Sequence, residues 1–178
     1  MKSFLLSGAY GHLGLSFSKL FHSKYEIYFS GRHYNPKNGI YLDITNPILY
    51  DEVLNFVKPD LVINFAALTN VDLCEQKPEL AYSINLGGLT NLIDLFDGPI
   101  IQISTDYVFH GRDMMPYEET DEANPKNVYG ATKMKGERAM KESGCKGAII
   151  RTSWLHSEFG KNFVKTMLKL GRNRDSLG

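Results

Sequence analysis

The sequence predicts an α/β protein in which helices cover both faces of a parallel sheet. Short apolar runs alternate with longer segments of helical period along the chain. Several of these runs, such as Leu61-Val-Ile63, are continuously apolar, as strands buried on both faces are. A repeated strand–helix–strand order of this kind produces a doubly wound parallel sheet. The length of 178 residues corresponds to about one domain.

The first half of the chain contributes four strands and two helices. The second strand, Tyr25-Glu-Ile-Tyr-Phe29, is rich in the aromatic and branched residues that strands favour. The first helix is amphipathic because it places Leu13, Phe17 and Leu20 on one face. The predicted strands cover residues 4–6, 25–29, 39–42 and 61–63, and the predicted helices cover residues 12–22 and 47–57.

The second half continues the alternation with longer helices. Pro78 suits the first turn of a helix that ends before Gly98-Pro99, and Gly144 is a typical residue for the end of another. Many Pro, Asp, Glu and Asn residues predict a loop over residues 110–127. The predicted strands cover residues 100–103 and 148–150, and the predicted helices cover residues 78–96, 128–142 and about 161–171.

Composition excludes several classes of partner and site. Twenty basic and twenty acidic residues give a formal net charge of zero, so we expect no nucleic-acid partner and no membrane-surface partner. No apolar stretch approaches the roughly 20 residues of a membrane span. Cys74 and Cys145 are far apart and form neither a CxxC nor a zinc pattern. We therefore expect no metal site, no disulfide framework and a reducing, cytoplasmic environment.

A glycine-rich turn follows the first strand and opens the first helix. Its sequence is Gly8-Ala-Tyr-Gly11-His-Leu-Gly14. In such a turn the first glycine permits the sharp bend, the second lets the backbone approach a pyrophosphate, and the third lets helix and sheet pack closely. Free amides at the start of the helix then bind the anion. This context favours a dinucleotide site over a plain structural turn.

Two positions bear on the adenosine end of the cofactor. The usual acidic residue after the second strand is absent, and Ser30-Gly-Arg32-His33 stands there instead. Arg32 could accept a 2′-phosphate, which favours NADPH over NADH, or it could be an exposed loop arginine. Asp43 could hydrogen-bond the adenine amino group or cap the helix that follows.

A candidate catalytic set lies in the second half. Thr105 ends the fifth strand, and Tyr129 and Lys133 stand four residues apart, which places both on one face of a helix. Reduction of a carbonyl needs a proton donor. We expect the ammonium to lower the pKa of the phenol and the threonine hydroxyl to hold the carbonyl oxygen. The alternative is a solvated helix face, but Gly136 continues that face and indicates close packing.

Asn85 is a polar residue on the inward stripe of the predicted 78–96 helix. A buried amide has to be hydrogen-bonded. It could order a water molecule beside Lys133 and so contribute to the cofactor site, or it could simply bond the backbone.

Taken together, these motifs resemble the extended short-chain dehydrogenase/reductase family, and within it the dTDP-4-dehydrorhamnose reductases. The resemblance covers nearly all 178 residues, and its most specific segments are Ser104-Thr-Asp-Tyr-Val-Phe109 and Arg151-Thr-Ser-Trp154. It implies a Rossmann-like fold and reduction of the 4-keto group of a nucleotide-linked deoxysugar, with hydride from NADPH or NADH and a proton from Tyr129. It assigns Thr105, Tyr129 and Lys133 to catalysis; Gly11-His12-Leu13, Asp43-Ile44 and Ala67-Leu68-Thr69 to the cofactor; and Thr105, Asp106 and Trp154 to the nucleotide-sugar. Leu68 departs from the polar residue that related chains often carry.

The same family contains dehydratases, epimerases and non-catalytic regulatory subunits. A dehydratase needs a second carboxylate after Asp106, where Tyr107 stands instead. An epimerase needs an added acid or base, and the cysteines, His110 and His156 are remote from the expected pocket loops. A regulatory subunit and a reductase or epimerase for another nucleotide sugar stay open as alternatives.

The resemblance also sets the expected organisation of the chain. We expect residues 1–160 to form a dinucleotide-binding domain and residues 161–178 to begin a substrate domain that is largely missing relative to the family. The chain should then bind the cofactor but turn over poorly alone. A homodimer is left open.

Overall fold

The six strands form one parallel sheet, and this confirms the predicted Rossmann-like fold class. The computed structural model describes residues 1–111 and 115–173, so parts of the predicted 110–127 loop and of the predicted 161–178 region lie outside the described residues. The strand order is β3-β2-β1-β4-β5-β6. The strands are β1 (Ser3–Ser7), β2 (Glu26–Gly31), β3 (Gly39–Tyr41), β4 (Leu61–Asn64), β5 (Ile100–Thr105) and β6 (Gly147–Thr152).

The helices follow the predicted order, with two corrections. The predicted 78–96 helix is interrupted by a π-helical turn over Ser83–Gly87 and ends at Leu95. A short helix that the sequence pattern did not predict begins after Asn70, whose side chain caps it. The helices are α1 (His12–Phe21), α2 (Pro47–Val57), α3 (Val71–Gln76), α4 (Pro78–Tyr82), α5 (Gly88–Leu95), α6 (Val128–Ser143) and α7 (Phe163–Asn173), with a 3-10 turn at Asp106–Val108.

The core lies on both faces of the sheet because successive strand residues point to opposite sides. On one face, Leu5 and Val62 pack with the fully buried Tyr50 of α2. On the other face, Leu6 and Ile63 form a second cluster, against which α1 packs Phe17. Strands buried on both sides need continuous apolar runs, which explains why these segments carry no alternating pattern.

A row of buried polar side chains crosses the sheet near the carboxyl ends of the central strands. Ser7 donates a hydrogen bond to Asn64 Oδ1 at 2.6 Å, and Asn64 Nδ2 donates to Gln102 Oε1 at 2.7 Å. Gln102 Nε2 donates to the Ile103 carbonyl oxygen at 2.7 Å. These bonds satisfy the polar groups that burial would otherwise leave unpaired. We refer to Ser7, Asn64 and Gln102 as the polar row.

The outer end of the sheet, at β6, is less covered than the centre. Ile150, Phe163 and Leu168 are exposed large apolar residues, and α7 makes only sparse contacts with the other elements. Across residues 1–111 and 115–173, no helix combines the length and the apolar character needed to cross a membrane.

Candidate active site

A cleft of about 720 Å³ opens at the carboxyl ends of the strands, where the strand order reverses between β1 and β4. Ligands of open parallel sheets bind at this point. The cleft brings together most of the site residues predicted from the sequence, whereas Gly14, Leu68 and Asn85 lie behind its wall. The predicted residues that line it are Gly8, Gly11, His12, Leu13, Arg32, Asp43, Ile44, Ala67, Thr69, Thr105, Asp106, Tyr129, Lys133 and Trp154.

The glycine-rich turn forms one end of the cleft. Gly8 has φ +70°, and a Cβ added there would lie 2.6 Å from the backbone nitrogen of Ala66. A Cβ on Gly14 would lie 2.3 Å from the Ala9 carbonyl oxygen, so this glycine lets α1 pack under the turn. Gly11 caps α1 without a side-chain hydrogen bond to the first-turn amides. The turn therefore has the shape and the unsatisfied donors of a phosphate site.

Two basic side chains stand where β2 reaches the cleft. Arg32 and His33 are both exposed and line the cleft. Tyr10 fixes the neighbouring chain, since its hydroxyl accepts a hydrogen bond from the backbone N–H of Asn35 at 3.2 Å. The sequence motif pointed to Arg32 alone, because only the fold shows that His33 reaches the same wall.

Asp43 lies after β3 and lines the cleft. Its Oδ1 accepts hydrogen bonds from the Thr45 backbone N–H at 3.0 Å and from the Thr45 hydroxyl at 2.7 Å. Asn46 caps α2 by accepting from the backbone N–H groups of Ile48 and Leu49. Capping of α2, the alternative role considered for Asp43, therefore belongs to Asn46.

Asn85 sits in the π-helical turn and holds the cleft wall at residues 67–69. It is 3% exposed. Its Oδ1 accepts from the Leu68 backbone N–H at 2.8 Å, and its Nδ2 donates to the Leu68 carbonyl oxygen at 3.1 Å and to Thr132 Oγ1 at 2.9 Å. Backbone bonding, the second interpretation from the sequence, is thus the arrangement in the structure. The Leu68 side chain packs against the core, which explains how an apolar residue is accommodated there.

The start of α6 carries Tyr129 into the cleft beside Thr105. Asn127 caps the helix by accepting from the Gly130 backbone N–H at 2.7 Å, and Glu75 accepts from the Val128 backbone N–H at 2.6 Å. A Cβ on Gly130 would lie 2.1 Å from the Tyr107 carbonyl oxygen, so glycine allows the helix to approach the end of β5 closely. The position of Tyr129 is therefore set by backbone contacts on both sides of it.

Burial shifts the pKa values of the two ionisable groups of the predicted set. It raises the pKa of the Tyr129 phenol above its ordinary value, and a hydrogen bond with Thr105 opposes this rise. Burial lowers the pKa of the Lys133 ammonium to about 8, and the charge of Glu137 opposes this fall. The expectation that Lys133 lowers the phenol pKa is wrong for the cofactor-free chain, because desolvation outweighs the favourable contacts.

Lys133 is a buried residue whose ammonium has no partner among the residues that the structure describes. The residue is 4% exposed and lines the cleft. No side chain or backbone group in the described part of the chain forms a hydrogen bond or ion pair with its Nζ. A Cβ on Gly136 would lie 3.2 Å from Leu89, so this face of α6 is closely packed and not solvated.

The opposite rim of the cleft carries Asp106 and the segment after β6. Thr105 Oγ1 donates to Asp106 Oδ1 at 3.0 Å, and Ser153 Oγ donates to Asp106 Oδ2 at 2.6 Å. Trp154 is 72% exposed, with its ring edge-on to Phe163 at 5.0 Å. Lys161 also lines the cleft. No motif pointed to Lys161, because a lone lysine beside a helix has no distinctive spacing.

The described residues contain no group of three or more His, Cys, Asp or Glu side chains that could hold a metal ion. Around Thr105, the cleft lining includes the Tyr129 phenol, the Lys133 ammonium, the Thr105 hydroxyl and the Asp106 carboxylate.

Comparison with known families places this cleft in context. The model of the RmlD substrate binding domain matches residues 1–178. The chain belongs to the RmlD substrate binding domain family. The resemblance inferred from the sequence motifs is thereby confirmed.

Individual relatives of this family agree in sequence and in fold. A dTDP-4-dehydrorhamnose reductase of Aggregatibacter actinomycetemcomitans is 41% identical and matches 100% of this chain and 60% of its own length. A crystal structure of a dTDP-4-dehydrorhamnose reductase from Clostridium acetobutylicum superposes with a TM-score of 0.88 at 42% identity, over 98% of this chain and 61% of that one. A Bacillus anthracis dTDP-4-dehydrorhamnose reductase in complex with NADP also gives a TM-score of 0.88, at 38% identity, over 99% of this chain and 62% of that one. The chain thus spans about 60% of the length of the relatives it matches.

Proposed function

We propose that this chain carries the dinucleotide-binding and catalytic part of an NAD(P)H-dependent reductase that converts the 4-keto group of dTDP-4-dehydrorhamnose to a hydroxyl. The observation that carries the proposal is the meeting of Thr105, Tyr129 and Lys133 in the cleft that begins at the Gly8 turn. The relatives named dTDP-4-dehydrorhamnose reductase support the choice of substrate.

The cleft fits a nicotinamide dinucleotide. The Gly8–Gly14 turn has no room for side chains at its two packed glycines and offers free amides for a pyrophosphate. Arg32 and His33 stand where a 2′-phosphate would lie, and a relative bound to NADP supports NADPH as the preferred cofactor over NADH. Asp43, Ile44 and the Ala67–Thr69 wall would contact the adenine and ribose portions, while Asn85 supports that wall from behind.

Tyr129 is suited to deliver the proton. The phenol is protonated at neutral pH, since burial raises its pKa above the ordinary value, so it holds the proton that the reduction requires. A nearby positive charge would favour the release of that proton. Thr105 would hold the substrate carbonyl oxygen next to the phenol. When bound, the nicotinamide would supply the hydride.

Lys133 is suited to stabilise the phenolate that proton transfer leaves behind. With a pKa of about 8, the amine is roughly ten-to-one protonated at pH 7. Since no described protein group holds its Nζ, the ammonium is available to the phenolate and to cofactor hydroxyls. A positive charge nearby favours the ionised phenol.

The sugar-nucleotide would enter from the rim formed by Asp106 and Trp154. Asp106 already accepts hydrogen bonds, so it can accept others from sugar hydroxyls, and the exposed Trp154 ring offers an apolar face. We assign residues 1–160 to the dinucleotide-binding domain and residues 161–178 to the beginning of the substrate region. The two free cysteines, Cys74 and Cys145, fit a cytoplasmic enzyme, and the mass of the chain in solution would test a homodimer.

The proposal is tested by single-turnover reduction with the chain in excess over NADPH. We expect NADPH to bind, as read by nicotinamide fluorescence, and to be oxidised only when dTDP-4-dehydrorhamnose is added. Tyr129→Phe should slow the reaction about 100-fold or more while leaving NADPH affinity within about threefold. Tyr34→Phe, an exposed tyrosine outside the cleft, is the control. An unchanged rate in Tyr129→Phe would refute the catalytic assignment, and binding of both NADPH and dTDP-4-dehydrorhamnose without any oxidation would favour a regulatory subunit.

A further inference from the structure

Glu137 stands one helical turn after Lys133 but does not pair with it. Residues four apart on a helix are neighbours, and opposite charges attract strongly where water is excluded. The Glu137 carboxylate is instead occupied on both oxygens. Its Oε1 accepts from Ser104 Oγ at 2.6 Å and from Arg151 Nε at 2.9 Å, and its Oε2 accepts from Arg151 Nη2 at 2.7 Å.

Arg151 is itself fixed, so the carboxylate has little freedom to turn. The guanidinium lies over the Phe109 ring, 4.8 Å from its centroid, and Nη1 donates to the Glu119 carbonyl oxygen at 3.4 Å. Glu137 is 3% exposed. A two-point contact between a planar guanidinium and a carboxylate sets direction as well as distance, which a lysine in place of arginine would not do.

We propose that Arg151 is a positioning residue for Lys133: by engaging both oxygens of Glu137, it prevents that carboxylate from capturing the Lys133 ammonium and leaves the ammonium free in the cleft. The catalytic meaning of this role rests on the proposed function. The negative charge of Glu137 still acts on Lys133 from a distance and favours its protonated form. Glu137 thus supports the charge of Lys133 without occupying its N–H donors.

Other ionisable groups act on Glu137, on Arg151 and on Tyr129, which stands four residues before Lys133. Lys141 on the same helix and Arg151 on β6 act on Glu137, and Glu119 in the preceding loop acts on Arg151. Cys74 on α3, and Asp106 and Tyr107 after β5, act on Tyr129. The charge that acts on the Lys133 pKa is that of Glu137.

The test is the titration of Lys133 in the cofactor-free 178-residue chain, followed by NMR of ¹³Cε-labelled lysine. The Lys133 signal is assigned as the one missing in Lys133→Met. In Arg151→Met, Glu137 should turn to Lys133, and the titration midpoint should rise by about one pH unit or more. In the double variant Arg151→Met/Glu137→Gln no carboxylate is left to capture the ammonium, so the midpoint should return to the wild-type value or below. In Arg151→Lys, the new ammonium can contact only one Glu137 oxygen, so the Lys133 midpoint should rise by less than in Arg151→Met. This second variant keeps the test available if Arg151→Met does not fold.

A midpoint that stays the same or falls in both Arg151 variants would overturn the proposal. So would a double variant whose midpoint stays as high as that of Arg151→Met. Neither outcome depends on cofactor or substrate, so failure here is distinct from failure of the proposed function.

Single-turnover rates give a second readout. Arg151→Met should slow NADPH oxidation about tenfold or more, and the added Glu137→Gln should restore the rate to within about threefold. If the contact between Arg151 and Glu137 only stabilises the fold, the double variant should oxidise NADPH no faster than Arg151→Met, because it has lost both partners. Rescue by the second substitution therefore supports the positioning role, and an equal or greater loss refutes it.

Discussion

Replacing Lys133 by methionine should stabilise the fold while removing the proposed activity. The Lys133 pKa is about 8 against an ordinary value of 10.5, a difference of about 2.5 pH units. Each unit corresponds to about 1.36 kcal/mol, so holding the charged amine in this site costs roughly 3 kcal/mol at neutral pH. Methionine keeps the unbranched stem and fills the same space without a charge.

The pH dependence of this effect has a defined sign. The amine titrates at a lower pH in the folded chain than in the unfolded chain. The unfolded chain therefore binds more protons between about pH 8 and 10.5, and the stability of the wild type rises with pH across that window. Below pH 8 the cost is fully present. The stability advantage of Lys133→Met should accordingly be largest at pH 7 and should shrink towards pH 10.

Urea denaturation at several pH values measures the stability difference between Lys133→Met and the wild type, and how that difference changes with pH. Lys135→Met, on the same helix but exposed and stacked over the Tyr82 ring, is the matched control and should change stability by less than about 1 kcal/mol. Single-turnover assays should show that Lys133→Met loses turnover. A variant less stable than the wild type at pH 7, or an advantage that does not decline with pH, would refute the reasoning.

Two further predictions concern the cofactor side of the cleft. Arg32→Gln should weaken NADPH binding about tenfold more than NADH binding, because a charge-assisted contact to a 2′-phosphate is lost. Lys37→Gln, an exposed lysine outside the cleft, should not change this preference. Equal weakening of both cofactors in fluorescence titrations would count against the 2′-phosphate role. Asn85→Ala should destabilise the chain by roughly 2 to 4 kcal/mol and weaken NADPH binding, because the backbone N–H and carbonyl of Leu68 both lose their partner. Asn91→Ala is the control; it removes a single hydrogen bond to the Ile44 carbonyl and should cost about 1 kcal/mol. Equal losses of stability in urea denaturation would contradict this account.

The order of elements could be predicted because strands buried on both faces of a sheet consist of continuous apolar runs. Continuous apolar runs and helical periods located every strand and most helices, with ends displaced by one or two residues. The helix after Asn70 was missed because six residues are too few to show a period, and only its cap distinguishes it. The π-helical turn at Ser83–Gly87 was missed because its residues continue the apolar stripe on both sides.

The candidate site was predictable where short motifs carry it and not where distant strands meet. The glycine turn and the Tyr129–Lys133 spacing are local patterns, so the sequence alone points to them. The contact between Glu137 and Arg151 joins α6 to β6, and no spacing indicates it. The pKa of Tyr129 was predicted with the wrong sign because the extent of its burial depends on the packing of α6 against β5.

The polar row has a consequence for how the cleft keeps its dimensions. Its members are direct cross-strand partners, Ser7 opposite Asn64 and Asn64 opposite Gln102. Slippage of one strand by a single residue would turn an amide or hydroxyl onto the face filled by Phe4, Leu6 and Ile63. The three central strands are thereby held in alignment, and the loops that leave them start from a common level. The separation between the Gly8 turn after β1 and Thr105 at the end of β5 is therefore set inside the sheet, where solvent and loop motion have little influence.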